Sequence, residues 1–132
     1  MSMHSIESHC LKQVHKYLSG NSSAETRKKL FKTVNSMLQV LDKDGLYGAV
    51  VYLQVYGKDD LALLGHLNRI LNTLYQNKLE ERVNERTIAE VKKGYAGHFC
   101  DDSPQARTAE MLLRRFLIHL RYAAKAQDKE RT

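Results

Sequence analysis

Proline and cysteine are scarce in this chain of 132 residues, which has one proline, two cysteines and no tryptophan. All-β proteins of this size usually carry several prolines and many glycines in turns, so a single proline favours helices. The two cysteines, Cys10 and Cys100, allow at most one disulfide and lack the paired spacing of a zinc knuckle. The fold must therefore be held together by the packing of its core.

Long apolar runs are also absent, since none approaches the roughly 18 residues that a bilayer span needs. The first eleven residues lack the basic start and apolar stretch of a signal peptide. We therefore expect a cytoplasmic protein with no membrane partner. A chain of this length builds one core rather than two, so residues 1–132 are predicted to form a single domain.

Basic residues outnumber acidic ones by 21 to 15, and the net charge is +6. Such an excess favours a polyanionic partner, for example nucleic acid. The charge is unevenly placed. Residues 103–132 carry seven basic and three acidic side chains, a net charge of +4, so the final segment holds most of the excess.

Apolar residues recur at spacings of three and four along most of the chain, which is the period of an amphipathic helix. The segment 46–56 is rich in β-branched residues that suit a strand, but it is apolar at both parities, and we favour a buried helix there. The polar stretch 77–86 is predicted to be a loop or a frayed turn. The fold class is therefore an all-α, single-domain bundle of five to seven helices. Helices are predicted at 5–18, 22–44, 46–56 and 59–76, from Thr87 to about Gly94 or Gly97, and from Pro104 for about six turns.

Short polar patterns mark the starts of these helices. Ser22 with Glu25, and Thr87 with Glu90, have the spacing of a capping box. The dipeptide at 59–60 supplies an acidic start, and the Ser-Pro pair at 103–104 is typical of an N-cap followed by the first helical position.

Motifs for catalysis and metal binding are missing as well. The acids stand mostly at predicted caps, such as Asp44, Asp59 and Asp60, where we expect them to be exposed. No nucleophile motif, phosphate-binding glycine loop or HExxH sequence occurs, so we expect no enzymatic activity and no cofactor. Residues 9–10 and 98–100 hold the only His and Cys pairs. Adjacent helical residues diverge by about 100°, so no metal site is predicted, and Cys10 is expected in the core.

The final helix carries a stripe of arginines. Arg107, Arg114 and Arg121 are seven residues apart, so they lie nearly on one line with about 10.5 Å between successive members. Arg115 and Lys125 flank this line. The forked guanidinium suits bidentate contact with phosphate, which predicts a nucleic-acid-binding strip. The alternative is an ordinary solvated helix face with basic residues near its C-terminus, where they favour the helix dipole.

A second basic cluster, formed by Arg27, Lys28, Lys29 and Lys32, opens the second helix. Positive charge at a helix start opposes the dipole, which suggests that these residues have a use in binding. Lys28 and Lys29 are therefore candidates, together with Lys58 in the turn after Gly57. Tyrosines at helical spacing are interpreted as core or rim residues rather than as stacking platforms.

Two stretches resemble a known family. Residues 45–53 (GLYGAVVYL), followed by 56–58 (YGK), resemble the GLxxAxxFL pattern with a Gly-Lys end of the small-subunit family of type III-B CRISPR effector complexes (the Cmr small subunit). The last helix is similar to that family's alanine- and leucine-rich closing helix, at 109–112 (AEML) and 119–123 (HLRYA). The chain departs from the pattern at His119, where the family often has tryptophan.

The resemblance implies an all-helical, non-catalytic subunit of an RNA-guided antiviral ribonucleoprotein. In that family, several copies stack head to tail beside the backbone subunits, contact the large subunit at one end and line the channel where guide RNA pairs with target RNA. Cleavage belongs to other subunits. Two alternatives stay open from the residues alone: a basic helical DNA-binding regulator, and a protein–protein adaptor whose charge is incidental.

Overall fold

The computed structural model describes residues 3–19, 23–76, 78–98 and 104–131, with the side chains of these ranges except at 3–7, 98 and 127–131. Five α-helices fill most of these ranges: Met3–Ser19 (α1), Ala24–Tyr56 (α2), Ala62–Tyr75 (α3), Ile88–His98 (α4) and Pro104–Arg131 (α5). The described residues contain no β-strand. Buried side chains from all five helices join in one core, which confirms the predicted all-α bundle. None of the helices in these ranges is long and apolar enough to cross a bilayer.

Helix α2 folds back on itself at Gly45. This glycine has φ 77° and ψ −169°, a backbone conformation that is essentially restricted to glycine. In a straight helix Thr33 and Gly57 would lie about 36 Å apart. Instead, a β-carbon added at Gly57 would stand 3.1 Å from Thr33 Cγ2. Two antiparallel arms, 24–44 and 46–56, therefore make up α2, and both the predicted stop at residues 44–45 and the predicted helix over 46–56 are confirmed.

Helix α5 packs against the first arm of α2, in the most extensive helix contact of the described chain. Three polar contacts fix the alignment: Leu46 N donates to Glu110 Oε1 at 3.3 Å, Arg114 pairs with Asp42, and Arg121 Nη1 donates to Asn35 Oδ1 at 3.4 Å. Partner numbers on α2 fall by the same steps as the numbers on α5 rise. The two helices are therefore antiparallel and in register over about three turns. The buried face of α5 fills the centre of the core with Leu112, Leu113, Phe116, Leu117 and Leu120.

The polar segment 78–86 lies extended against α3. Leu79 and Asn72 exchange two hydrogen bonds, from Leu79 N to Asn72 Oδ1 at 2.8 Å and from Asn72 Nδ2 to Leu79 O at 2.9 Å. Asn68 Nδ2 donates to Glu80 O at 2.7 Å. A β-carbon at Gly65 would stand 2.2 Å from the Glu81 carbonyl oxygen, so glycine is needed there for the close approach. The predicted loop is confirmed, but side-chain amides hold it in place.

Two predicted helix starts are shifted in the structure. The N-cap of α2 is Ser23 rather than Ser22, and its hydroxyl accepts a hydrogen bond from Thr26 N at 3.1 Å. Before α4, Asn84 and Thr87 form the reciprocal pair. Thr87 N donates to Asn84 Oδ1 at 3.2 Å and Asn84 N donates to Thr87 Oγ1 at 2.9 Å. Thr87 therefore occupies position N3 of a capping box, and Asn84 is its N-cap.

The acidic pair at 59–60 does not begin α3 either. It belongs to a 3-10 turn, Lys58–Asp60, and α3 starts at Ala62 after Leu61, whose side chain has no capping oxygen. Pro104 is the first residue of α5, as predicted, while Ser103 lies outside the described residues. Cys10 is buried in the core face of α1, as expected.

Candidate nucleic-acid interface

Two members of the arginine stripe, Arg114 and Arg121, lie at the seam between α5 and the first arm of α2. Arg107 is exposed, whereas Arg114 and Arg121 are half-exposed because they reach across the seam to α2. Their partners, Asp42 and Asn35, are also seven residues apart. The same spacing on two antiparallel helices therefore sets matching side chains opposite each other.

Arg114 forms an ion pair with Asp42, and 42% of the arginine side chain and 58% of the aspartate side chain remain exposed. An exposed pair of this kind stabilises a protein by no more than about 1 kcal/mol. The contact uses Nη1, and arginine has five N–H donors, so the guanidinium keeps donors for a phosphate oxygen. The pair holds the side chain over the seam while Asp42 reduces the local positive charge.

Arg121 has a different environment. Its guanidinium carbon lies 5.3 Å from the ring centroid of Tyr122, which is exposed, and its Nη1 contacts the Asn35 amide. Stacking over an aromatic ring leaves the edge of the guanidinium open to anions. Arg121 is thus positioned at the surface without a carboxylate partner among the described residues.

Lysines extend this surface at one end. Lys28 is exposed and lies seven residues before Asn35 on the same face of α2, and Lys125 is exposed one turn beyond Arg121 on α5. Arg115 is half-exposed on the neighbouring face of α5. We use the name seam strip for five basic residues of α5 and the start of α2: Arg107, Arg114, Arg121, Lys125 and Lys28.

The other predicted lysines occupy a separate place. Lys29 and Lys58 meet at a groove of about 570 Å³, where the start of α2 faces the end of its second arm. Lys32 also lines it. We call this site the lysine groove; its walls are formed by Thr26, Lys29, Lys32, Thr33, Ser36, Tyr52, Tyr56, Gly57, Lys58, Asp59 and Asp60.

One member of the second basic cluster does not belong to the surface. Arg27 is only 1% exposed, and its side chain is part of the interior at the start of α2. Lys28, Lys29 and Lys32 are exposed. Position 27 stands three residues before Leu30 and seven before Val34, so it falls on the buried stripe of α2, and this spacing distinguishes it from the neighbouring lysines.

A buried polar cluster near the lysine groove was missed from the sequence. Asp60 was expected to be exposed, but it is buried and its Oδ1 accepts a hydrogen bond from Tyr17 at 2.7 Å. Burial raises the pKa of the Asp60 carboxyl, against the opposing effect of hydrogen bonds from Tyr17 and Thr33. Tyr17 also meets the ring of His66 edge-on, at 5.5 Å between centroids. The partners are more than 40 residues apart, so no local signal marks the contact.

His66 continues this cluster between α1 and α5. Its Nδ1 lies 2.7 Å from Gln13 Oε1, and its ring stacks on Phe116 at 6.2 Å between centroids. Burial, with the nearby Arg69 and Lys16 charges, lowers the pKa of the His66 imidazole. A neutral histidine in such surroundings packs as part of the core.

Metal ligands do not gather in the part of the chain that the structure describes: no group of three or more His, Cys, Asp or Glu side chains is arranged to hold an ion there. The His98 side chain and Cys100 lie outside that part. Comparison of the chain with protein-family models, curated proteins and solved structures finds no match. Function must therefore be inferred from the seam strip, the lysine groove and the residue patterns.

Proposed function

We propose that this protein is a non-catalytic, RNA-binding small subunit of a type III CRISPR–Cas ribonucleoprotein that acts in the cytoplasm in antiviral defence. Its partners would be the backbone and large subunits of the complex, further copies of itself, and the guide and target RNA. The seam strip, helped by Arg115 and the lysines of the groove, contacts the RNA backbone. Such contacts position RNA without reading its sequence.

The observation that carries this proposal is the arrangement of the seam strip. Three arginines of α5 recur about every 10.5 Å, two of them reach across the seam to the first arm of α2, and Lys125 and Lys28 are exposed near Arg121 and Asn35. A regular row of cations on a rigid seam suits a polyanion that runs along it. Contacts with Asp42 and Asn35 hold two of the arginines in place, which lowers the entropy lost when they bind a phosphate.

The residues of the family resemblance support the proposal in a second way. The stretch 45–53 forms the fold-back and most of the second arm of α2, and 119–123 includes Arg121 of the seam strip. The resembling stretches therefore include one basic residue of each basic site, Lys58 of the groove and Arg121 of the seam strip. His119, where the family often has tryptophan, is half-buried on α5.

One observation favours the adaptor alternative. Tyr47, Val51 and Val55 are exposed at a spacing of four on the second arm of α2, and Tyr56 follows them. An exposed apolar face of this kind suits a protein partner. A subunit of a larger complex also needs such a face, so salt dependence separates the hypotheses: RNA binding through cations weakens steeply with salt, whereas apolar association does not.

Purification of the tagged chain from its native host tests the proposal. We expect a multi-subunit complex that carries short RNAs, and treatment with high salt should release RNA before it releases the protein partners. Recovery of the chain alone, or with protein partners but without RNA, would contradict the proposal. A gel shift that shows sequence-specific DNA binding by the chain would favour the regulator instead.

A further inference from the structure

The lysine groove has two kinds of wall. On one side, Lys29 and Lys32 stand one turn apart on the first arm of α2, and Lys58 approaches from the 3-10 turn. On the other side, the rings of Tyr52 and Tyr56 lie 5.0 Å apart between centroids and are tilted by 37°. The volume of about 570 Å³ falls in the range of roughly 300–1,000 Å³ that small-ligand sites occupy.

Three ammonium groups around one groove repel one another unless an anion lies among them. Two carboxylates, Asp59 and Asp60, also line the groove, and Asp60 offsets less of the lysine charge than Asp59 does. Asp60 is turned toward Tyr17 and Thr33, which donate hydrogen bonds to it, and burial raises its pKa. Asp59 is exposed. The groove therefore keeps a net positive charge, which suits a phosphate.

The tyrosines supply a second type of contact. Tyr56 is 74% exposed, so the interpretation of the tyrosines as core or rim residues is wrong for this ring, and the half-buried ring of Tyr52 packs beside it. An exposed aromatic ring next to cations is the combination with which proteins hold single-stranded nucleic acid. The ring stacks on a base and the cations take the backbone.

We propose that the lysine groove binds one unpaired nucleotide, with its base stacked on Tyr56 and its phosphate between Lys29, Lys32 and Lys58. This inference rests on the proposed function, because it takes RNA as the polyanion, and it adds a site of different chemistry from the seam strip. The seam strip contacts the RNA backbone whether the RNA is single-stranded or paired. The lysine groove selects a nucleotide outside a duplex, since a base within a duplex already has both faces stacked against its neighbours.

Fluorescence anisotropy with a short labelled oligo(A) strand, and separately with a labelled RNA duplex, tests the stacking contact. Tyr56→Leu removes the ring and keeps an apolar side chain, and Tyr47→Leu makes the same change at an exposed tyrosine outside the groove. We expect Tyr56→Leu to weaken binding of the single strand about fivefold or more, as the loss of a base stack does. Duplex binding by Tyr56→Leu, and both affinities of Tyr47→Leu, should equal those of the wild type.

The phosphate contact is tested by a matched pair of double variants. Lys32→Gln with Lys58→Gln removes two charges from the groove. Lys43→Gln with Lys78→Gln removes two exposed charges that line neither basic site. The groove variant should bind oligo(A) several-fold more weakly than the control variant. Equal affinity of the two would overturn the assignment of the phosphate to the groove.

Competition by adenosine monophosphate distinguishes a free nucleotide from a nucleotide within a strand. Tyr56-dependent binding of oligo(A) that the monophosphate displaces assigns the groove to the free nucleotide, and binding that it does not displace assigns it to a strand. If Tyr56→Leu binds like the wild type while Arg114→Gln binds more weakly, the groove inference is overturned and the proposed function stands. If the monophosphate binds in a Tyr56-dependent way but no RNA binds, the proposed function is overturned and the groove stands as a nucleotide site. If neither ligand binds, both proposals are overturned.

Discussion

Glu110 on α5 accepts a hydrogen bond from the backbone amide of Leu46, 64 residues earlier in the chain, at 3.3 Å. Leu46 is the first residue after the fold-back at Gly45, so its amide has no helical partner of its own. The carboxylate thus caps the second arm of α2 from a neighbouring helix and also faces the positive end of the arm's dipole. Glu110 therefore links the packing of α5 to the fold-back of α2.

Replacement of Glu110 by alanine should therefore destabilise the protein. We expect Glu110→Ala to lower the free energy of unfolding by about 0.5–2 kcal/mol, the usual cost of losing an N-cap. Urea unfolding followed by circular dichroism measures it. Glu90→Ala removes an exposed carboxylate in the first turn of α4 that pairs with Lys93 at 3.6 Å but caps no amide across helices, so it should cost less than Glu110→Ala. Equal effects of the two would argue against the cap.

The fold-back should tolerate no side chain at Gly45. Alanine there would adopt φ 77° and would place its β-carbon 3.0 Å from Glu110 Oε1. We expect Gly45→Ala to cost about 1–3 kcal/mol of stability. Gly97→Ala, within α4 and with no atom near the added carbon, should be neutral or slightly stabilising in the same thermal unfolding measurement. A neutral Gly45→Ala variant would contradict the two-armed geometry of α2.

The buried Asp60 should make stability depend on pH. Because burial raises its pKa above 3.8 in the folded protein, the folded state binds more protons than the unfolded state in the window between the two values. The contribution of Asp60 to the stability of the fold is therefore fully present below pH 3.8 and is lost as the pH rises through its folded pKa. Asp60→Asn keeps an acceptor for Tyr17 and removes this loss of stability.

Unfolding free energies of the wild type and Asp60→Asn, measured over a pH series, check this expectation. The variant should gain stability relative to the wild type as the pH rises above the ordinary carboxyl range. Asp59→Asn, at the exposed neighbouring carboxylate, should show no comparable trend. A constant difference between Asp60→Asn and the wild type across the series would mean that Asp60 has no raised pKa.

The extended segment 78–86 should depend on Asn72, whose side chain makes three hydrogen bonds to Leu79 and Glu81. Asn72→Ala leaves the buried Leu79 backbone without these partners, so we expect a loss of about 1–3 kcal/mol and faster proteolysis within the segment. Thr73→Ala, which removes only a bond to its own helix at Arg69 O, is the control. Unchanged proteolysis of Asn72→Ala would contradict the role of this amide.

Local patterns in the sequence predict the helices well and their ends less well. The stop at residues 44–45 is visible because glycine permits the fold-back, and the helix over 46–56 follows from its apolar faces. The observed N-caps are Ser23 and Asn84 rather than the predicted Ser22 and Thr87, because more than one residue near each helix start has a side chain that can cap it. Such choices depend on where the incoming chain must point, which a local pattern does not contain.

The candidate site shows the same division. The seven-residue spacing of Arg107, Arg114 and Arg121 predicts their alignment on one face of α5, but not that Asp42 and Asn35 stand opposite. The burial of Asp60, and the meeting of Lys29 with Lys58 in one groove, arise from contacts between remote segments. These contacts exist only after the helices pack.

The ion pair of Arg114 and Asp42 allows the most direct test of RNA binding by the seam strip. A charge reversal at Arg114 would set two carboxylates side by side and disturb the seam, so neutral substitutions are preferable. Arg114→Gln and Asp42→Asn break the same ion pair and change the net charge in opposite directions. If the ion pair only stabilised the fold, both variants would change the RNA affinity in the same direction.

The decisive measurement is the RNA affinity of these two variants at several salt concentrations. If the seam strip binds RNA, Arg114→Gln should bind more weakly than the wild type and reduce the slope of log affinity against log salt by about 0.7, as loss of one phosphate contact on a single strand does. Asp42→Asn should bind more tightly, because it removes a negative charge from the strip and releases the arginine. Unchanged affinity in both variants, or a change of the same sign in both, would mean that the seam strip does not bind RNA.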